Sequence, residues 1–181
     1  MSNTPQVDLS ALHTNITNAI KAQFPDLKDA GAYPRPGDMV KTPAVYFELD
    51  AIEVTAPMDV GTEQVRCALT FNAYCVVSYK GTAKLAARLL AASVMSWLRG
   101  KRFGQAIGIA QPMSADPDTF AGDAAGEYEC MRVMWRHEPV YLGTSTWDAT
   151  GVIPTEVWLG IDPETGAENL SKYIKLAPPA P

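Results

Sequence analysis

Residues 65–79 read VRCALTFNAYCVVSY, and their alternation decides the fold. Val65, Cys67, Leu69, Phe71, Ala73, Cys75, Val77 and Tyr79 are apolar or aromatic, while Arg66, Thr70, Asn72 and Ser78 fall between them. A period of two predicts a long strand with one buried face and one largely wet face. This length exceeds that of an ordinary strand, so the segment is expected to be the spine of an antiparallel sheet. Lys80-Gly81 turns the chain, and residues 82–99 then read as a helix. Thr82 is its expected N-cap, and Gly100 is the expected left-handed residue beyond its end. At 100° per residue, Ala86, Leu89, Leu90, Ser93 and Trp97 gather on one side, which is expected to pack on the sheet. Lys84, Arg88 and Arg99 gather on the other.

The rest of the chain extends this pattern. Residues 8–24 predict a first helix, capped by Asp8 and buried through Leu9, Leu12, Ile16, Ile20 and Phe24. Pro25 stops it, and residues 25–43 read as a Pro- and Gly-rich loop. In residues 44–55 Val45, Phe47, Leu49 and Ala51 alternate with Tyr46, Glu48 and Asp50, a strand that forms a hairpin with the spine. Residues 105–113 read as a short strand, 114–126 as a loop and 127–141 as a long strand. Met131, Val133 and Trp135 face one way in that strand, and Arg132 and Arg136 the other. Pro139 implies that it ends there or lies at an edge. The expected fold is α+β: a mainly antiparallel twisted sheet with two helices on one face. Residues 1–142 form the core domain, and residues 143–181 an extended C-terminal arm with a Pro-rich tail. Within the arm Val157, Leu159 and Ile161 suggest a short strand, and Asp162–Gly166 a turn.

Composition narrows the function. The chain has 181 residues, 47% hydrophobic and 19% charged, with a net charge of −5. That balance is globular and argues against nucleic-acid binding through overall charge. The first residues lack a basic region followed by an apolar run, so no secretion signal is expected, and no stretch reaches the roughly 18 apolar residues of a membrane span. Three cysteines argue against a disulfide framework; Cys67 and Cys75 lie about 26 Å apart along one strand.

Catalytic patterns are sparse. His13 and His137 are the only histidines. A Cys130–His137 dyad would need a cleft and an orienting group. No Cys-x-x-Cys or His-x-x-x-His spacing suggests a metal, and no Gly-rich loop suggests a phosphate or cofactor, so none is expected. Charge segregation is stronger. Residues 80–102 hold six bases (Lys80, Lys84, Arg88, Arg99, Lys101, Arg102) and no acid. Acids concentrate at Glu48, Asp50, Glu53, Asp59 and Glu63, and again over 116–129. This fits either a solvated helix face with cations near its C-terminal end, where the helix dipole favours them, or a polar subunit whose basic helix meets a neighbour's acidic face. Trp147 and Trp158, beside Val152, Ile153 and Ile161, are too apolar for a solvated arm; they either fold back on the core or serve as partner anchors. The candidate interface is therefore Lys84, Arg88, Arg99, Asp59, Glu63, Trp147 and Trp158.

LHTNITNAIKAQFPDL, PAVYFEL, RCALTFNAYCVVSY and the helix TAKLAARLLAASVMSWLRG follow one another in an order that resembles the tail terminator (tail completion) proteins of long-tailed bacteriophages. The likeness covers residues 8–142 and lies in size, element order and style, with no invariant motif. It implies a structural virion protein without catalytic residues, forming a ring, usually a hexamer. Such a ring caps the tail tube, meets the head–tail connector protein and lets genome DNA pass without sequence-specific contact. The partners implied are further copies of the chain, the tail tube protein and the connector. The locations implied are the host cytoplasm during assembly and then the virion neck. Another connector or stopper component, and a cytosolic ligand-binding α+β domain, are the alternatives.

Overall fold

A computed structural model describes residues 6–33, 40–55, 64–120, 127–143, 157–161 and 165–176. The chain divides into two compact units, Ser2–Trp147 and Asp148–Pro181.

The first unit is α+β. Helix α1 spans Leu9–Gln23, and the Asp8 carboxylate caps it by accepting from the Ala11 N–H at 3.0 Å. Strands β1 (Asp29–Ala32), β2 (Ala44–Val54) and β3 (Val65–Ser78) follow. Helix α2 (Ala83–Leu98), β4 (Ala110–Asp118) and β5 (Tyr128–Leu142) complete the unit. The sheet order is β1-β2-β3-β5-β4; β1 runs parallel to β2 and every other pairing is antiparallel. Strands β3 and β4 therefore run parallel with β5 between them, so β3–α2–β4 is a split β-α-β unit.

Both helices lie on the face presented by the odd positions of β3. Leu12, Ile16 and Ile20 of α1 share one core with Cys67, Leu69, Phe71, Ala73, Cys75 and Val77, and with Val133 and Trp135 of β5. Phe71 sits directly across from Trp135 in the β3–β5 register, and the two rings stack with centroids 5.1 Å apart. The edge of Phe24 meets Trp97 at 5.6 Å and joins the two helices.

Several expectations are corrected. The side of α2 that packs on the sheet is Ala83, Ala87, Ala91, Val94 and Leu98. Ala86, Leu89 and Ser93 are exposed, and Leu90 and Trp97 are only partly buried. Three alanines in a row down the inner face let the helix backbone approach the sheet closely, which larger side chains at those positions would prevent. Thr82 occupies the N-cap position but makes no side-chain capping bond, whereas Gly100 is left-handed as expected at φ +81°.

The second face of β3 is not wet either. Ala68, Thr70, Asn72 and Val76 are buried. Around Val76 a smaller cluster forms with Phe120 and Cys130, against which Tyr46, Tyr74 and Tyr128 pack. Further along, Arg136 of β5 reaches Glu53 of β2 at 2.5 Å. Since β3 runs between those strands, this pair crosses over Ala68 and Thr70, the residues in register with Glu53 and Arg136. The long polar side chains supply the cover that a third layer would otherwise provide.

The loop expected over 25–43 contains β1. The strand expected over 105–113 and the loop expected over 114–126 are displaced: β4 begins at Ala110 and runs to Asp118, with Pro112 and Pro117 tolerated because it is the sheet edge. Pro139 does not end β5, but it lies where β5 has no β4 partner and so is locally at an edge. Strand β5 is interior and continues to Leu142. Pro139 lies beyond the β4 pairing and beside the irregularity between Cys67 and Leu69, where a missing N–H costs no ladder bond.

The second unit holds a small antiparallel ribbon of β6 (Val157–Leu159) and β7 (Ile174–Leu176), with a 3-10 helix over Ala167–Lys172. The Tyr173 hydroxyl accepts from the Gly166 N–H at 3.0 Å. A Cβ on Gly160 would lie 2.7 Å from the Tyr173 ring, so glycine is required there for that ring to pack. The Asp162-to-Gly166 turn and the hairpin tip between β2 and β3 fall largely or wholly outside the described residues.

The rotation of α2 is testable by unfolding in urea. Ala87→Leu is expected to overpack the helix–sheet contact and cost about 1–3 kcal/mol. Ala86→Leu, on the exposed side, is expected to stay within about 0.5 kcal/mol of wild type.

Candidate functional site

The two histidines are occupied structurally. His137 is fully buried on β5. Trp135 Nε1–H donates to His137 Nε2 at 3.1 Å, and His137 Nδ1 lies 2.8 Å from the Gly108 carbonyl. Since Nε2 accepts, Nδ1 must carry the proton, so the ring is a neutral Nδ1–H tautomer with both nitrogens engaged. Burial pushes its pKa down, partly opposed by the bond to Gly108. A Cβ on Gly108 would fall 1.9 Å from the Glu138 carbonyl oxygen, so this loop can close over His137 only through glycine. His13 on α1 has Nδ1 2.6 Å from the Leu9 carbonyl and Nε2 2.9 Å from the Tyr33 hydroxyl. Its ring stacks on Tyr33 and Phe47.

A Cys130–His137 dyad is excluded by geometry. His137 faces the helix layer, its ring against Phe71 and Phe103, whereas Cys130 belongs to the cluster on the opposite sheet face. Seven residues of strand also separate them by about 23 Å. All three cysteines are buried and outside any disulfide, and burial pushes the thiols of Cys67 and Cys75 up, away from the reactive thiolate. Among the described residues, no group of three or more His, Cys, Asp or Glu is placed to hold a metal. No helix among them is long and apolar enough to cross a membrane.

The charged residues sort into two surfaces. On the open face of the sheet, acids meet their own chain's arginines. Arg136 contacts Glu53 and Glu138, Arg132 contacts Asp118 at 3.4 Å, and Arg66 approaches Glu138 at 3.9 Å. Glu48 accepts from the Tyr74 hydroxyl at 2.5 Å. Among the described acids, Glu48, Glu53, Asp118 and Glu138 are thus engaged within their own chain. Asp50 and Asp116 are exposed, while Asp59 and Glu63 lie outside the described residues.

On α2 the cations stand differently. Lys84, Arg88 and Arg99 are exposed. Arg88 donates to the carbonyl of Lys84, one turn back, and Lys101 lies over the Trp97 ring at 5.8 Å. Between the cations and Ser93 and Ser96 the helix exposes Leu85 at 56% and Leu89 at 60%. Beside the last turn of α2 a groove of about 590 Å³ runs along the start of β4, lined by Met95, Ser96, Arg99, Ile109 and Pro112.

Of the expected interface residues, Lys84, Arg88 and Arg99 thus share one surface with two exposed leucines and a groove. Trp158 belongs to the second unit, where it is half exposed with Lys175 over its ring at 5.7 Å. Trp147 lies outside the described residues. The exposed leucines and the Ile109 groove escaped sequence reasoning. The positions of Ser93 and Ser96 were the available signal, because they extend the arc begun by Lys84 and Arg88 and so mark the solvent side.

Burial of a neutral His137 gives stability a pH dependence. The unfolded imidazole takes a proton near its ordinary pKa of about 6.5, before the folded one does. Stability is therefore full above that pH and falls as pH drops below it, by at most about 1.4 kcal/mol per unit until the folded group also protonates. In urea unfolding between pH 7.5 and 5 (roughly spanning that ordinary pKa), His137→Gln is expected to show a shallower loss than wild type. Equal slopes would mean that His137 is not the titrating group.

No protein-family model matches the chain, and no curated protein is similar to it.

Proposed function

We propose that the chain is a structural assembly subunit of the tail-terminator kind, which associates into a ring that caps a phage tail tube and meets the head connector. The observation that carries this reading is the outward face of α2, where Leu85 and Leu89 stand exposed among Lys84 and Arg88. Covering each leucine is worth about 1.5–3 kcal/mol, and a monomer leaves that unrealised. The resemblance in element order over residues 8–142 supplies the kind of assembly. The engagement of both imidazoles in structural bonds supports a structural rather than a catalytic role. The cations on α2 also fit a heterologous contact better than an isologous one, because two copies of this face brought together would set like charges opposite each other.

Light scattering during gel filtration, with electron microscopy of the same fractions, tests the reading. The expected result is a closed multi-subunit ring. Its stability should fall between physiological salt and 1 M salt, as the Debye length shrinks from about 8 Å to about 3 Å. Arg88→Glu combined with Arg99→Glu should weaken assembly at low salt while leaving the thermal melt of the subunit unchanged. A strict monomer at every concentration would overturn the proposal and favour a ligand-binding domain.

A further inference from the structure

We infer that the groove between the end of α2 and β4 receives the β6–β7 ribbon of a second copy of this chain. The inference rests on the ring reading in one respect, that copies associate head to tail. A ring closed by heterologous contacts needs two different, mutually complementary surfaces on every subunit, and these two features are complementary in apolar character and in charge.

The ribbon is the donor. It contains two paired strands of three residues each, and a two-stranded ribbon of that size is at best marginal in water. Trp158, Leu159, Ile161, Leu170 and Ile174 are all exposed, Ile161 at 65%. Five large apolar groups in a stretch this short exceed what a solvated ribbon carries and resemble the apolar centre of an interface, with Trp158 as an aromatic anchor. Residues 157–176 contain three acids (Asp162, Glu164, Glu168) and two lysines (Lys172, Lys175), a formal −1.

The groove is the acceptor. Met95, Ile109 and Pro112 give it apolar walls, and Met113 is exposed beyond them. Arg99 lines it, and Lys101 and Arg102, which follow it in the chain, are exposed. The acceptor side is thus apolar within and cationic at one end; the donor is apolar with a net negative charge. A second groove-bearing face could not serve as occupant, because it would bring the same cations together. Electrostatic complementarity sets which partner and which register are allowed, and apolar burial supplies the affinity. The occupant is a ribbon with its own hydrogen-bonded strands rather than a bare strand added to β4. Pro112 and Pro117 remove donors from the β4 edge and disfavour strand addition there.

Thiol crosslinking of the full chain tests this. The three native cysteines are buried, so a cysteine introduced at the surface is the reactive one. Full-length Ser96→Cys and full-length Leu159→Cys are purified separately, mixed, and treated with a short flexible bis-maleimide. The expected product is a covalent dimer joining one of each, in several-fold higher yield than with either variant alone. Adding Ile161→Asp to the ribbon chain, or Ile109→Asp to the groove chain, should reduce that product at least tenfold with subunit melting unchanged. Absence of the mixed dimer overturns the inference. So does a chain carrying both cysteines that crosslinks only at monomer mass, which would mean that the ribbon folds onto its own groove. Rings that form without the mixed crosslink would overturn the ribbon contact and leave the ring reading standing. A mixed crosslink within a simple dimer would support the ribbon contact and remove the ring.

Discussion

The stack of Phe71 on Trp135 fixes the register on which the rest of the first unit depends. These residues face each other across β3 and β5, the two longest strands, and both rings point into the helix layer. Slipping that register by one residue would exchange the faces of every side chain along β3. Phe71 and Leu69 would then meet the ion pairs, and Thr70 and Asn72 would meet α1. Neighbouring contacts are arranged around the same point. His137 sets its ring edge-on to Phe71 and accepts from the Trp135 indole, and Phe47 approaches Phe71 from β2. A buried imidazole is tolerable there because each of its nitrogens has a partner, and unpaired polar atoms at that depth would cost about 1–3 kcal/mol each.

A two-layer domain normally leaves the outer face of its sheet to water. Here the outer face of β3 is covered by side chains from the strands on either side. The Arg136–Glu53 pair spans β3 from β5 to β2, and Tyr74, Glu48, Arg132 and Asp118 continue the polar layer. Each exposed ion pair contributes only about 0–1 kcal/mol. The larger effect is geometric, since the methylene stems of arginine and glutamate shield Ala68 and Thr70 while their charged ends stay hydrated. Spending the acids in this way leaves the cations of α2 with no counterpart on the sheet among the described ion pairs.

The strands were legible because their pattern has a strict period and few interruptions. Odd positions from Cys67 to Val77 went to the core, while Val65 and Tyr79 at the two ends are exposed; Arg132 and Arg136 faced away from Met131, Val133 and Trp135. Helix α1 was equally clear, with Asp8 and a single stripe of Leu12, Ile16 and Ile20. The orientation of α2 was not legible from apolar residues. Twelve of its sixteen residues are apolar, so several stripes compete. Residue size, not hydrophobicity, settled the orientation: Ala83, Ala87 and Ala91 face the sheet, and bulky Leu85 and Leu89 face out. Strand β4 was shifted because Pro112 and Pro117 imitate a loop in sequence, and the edge position that permits them is a property of the whole sheet. The same limit applied to the candidate interface. Its cations could be read from spacing, whereas its groove exists only where the end of α2 meets the start of β4.

The orientation of α2 links the fold to the proposed assembly. A helix with leucines inward and alanines outward would stand farther from the sheet and present an inert surface. The observed rotation does the reverse. It lowers the helix onto the sheet through small residues and places two leucines, four serine or alanine side chains and the cations on the outside. Ordinary monomer physics does not favour that choice, since turning Leu85 and Leu89 inward would bury apolar area within the subunit. It becomes favourable once a second surface covers them, for then the close helix–sheet approach and the burial of the leucines are obtained together. The packing of α2 and its proposed role as an interface thus follow from one distribution of small and large side chains around a single helix.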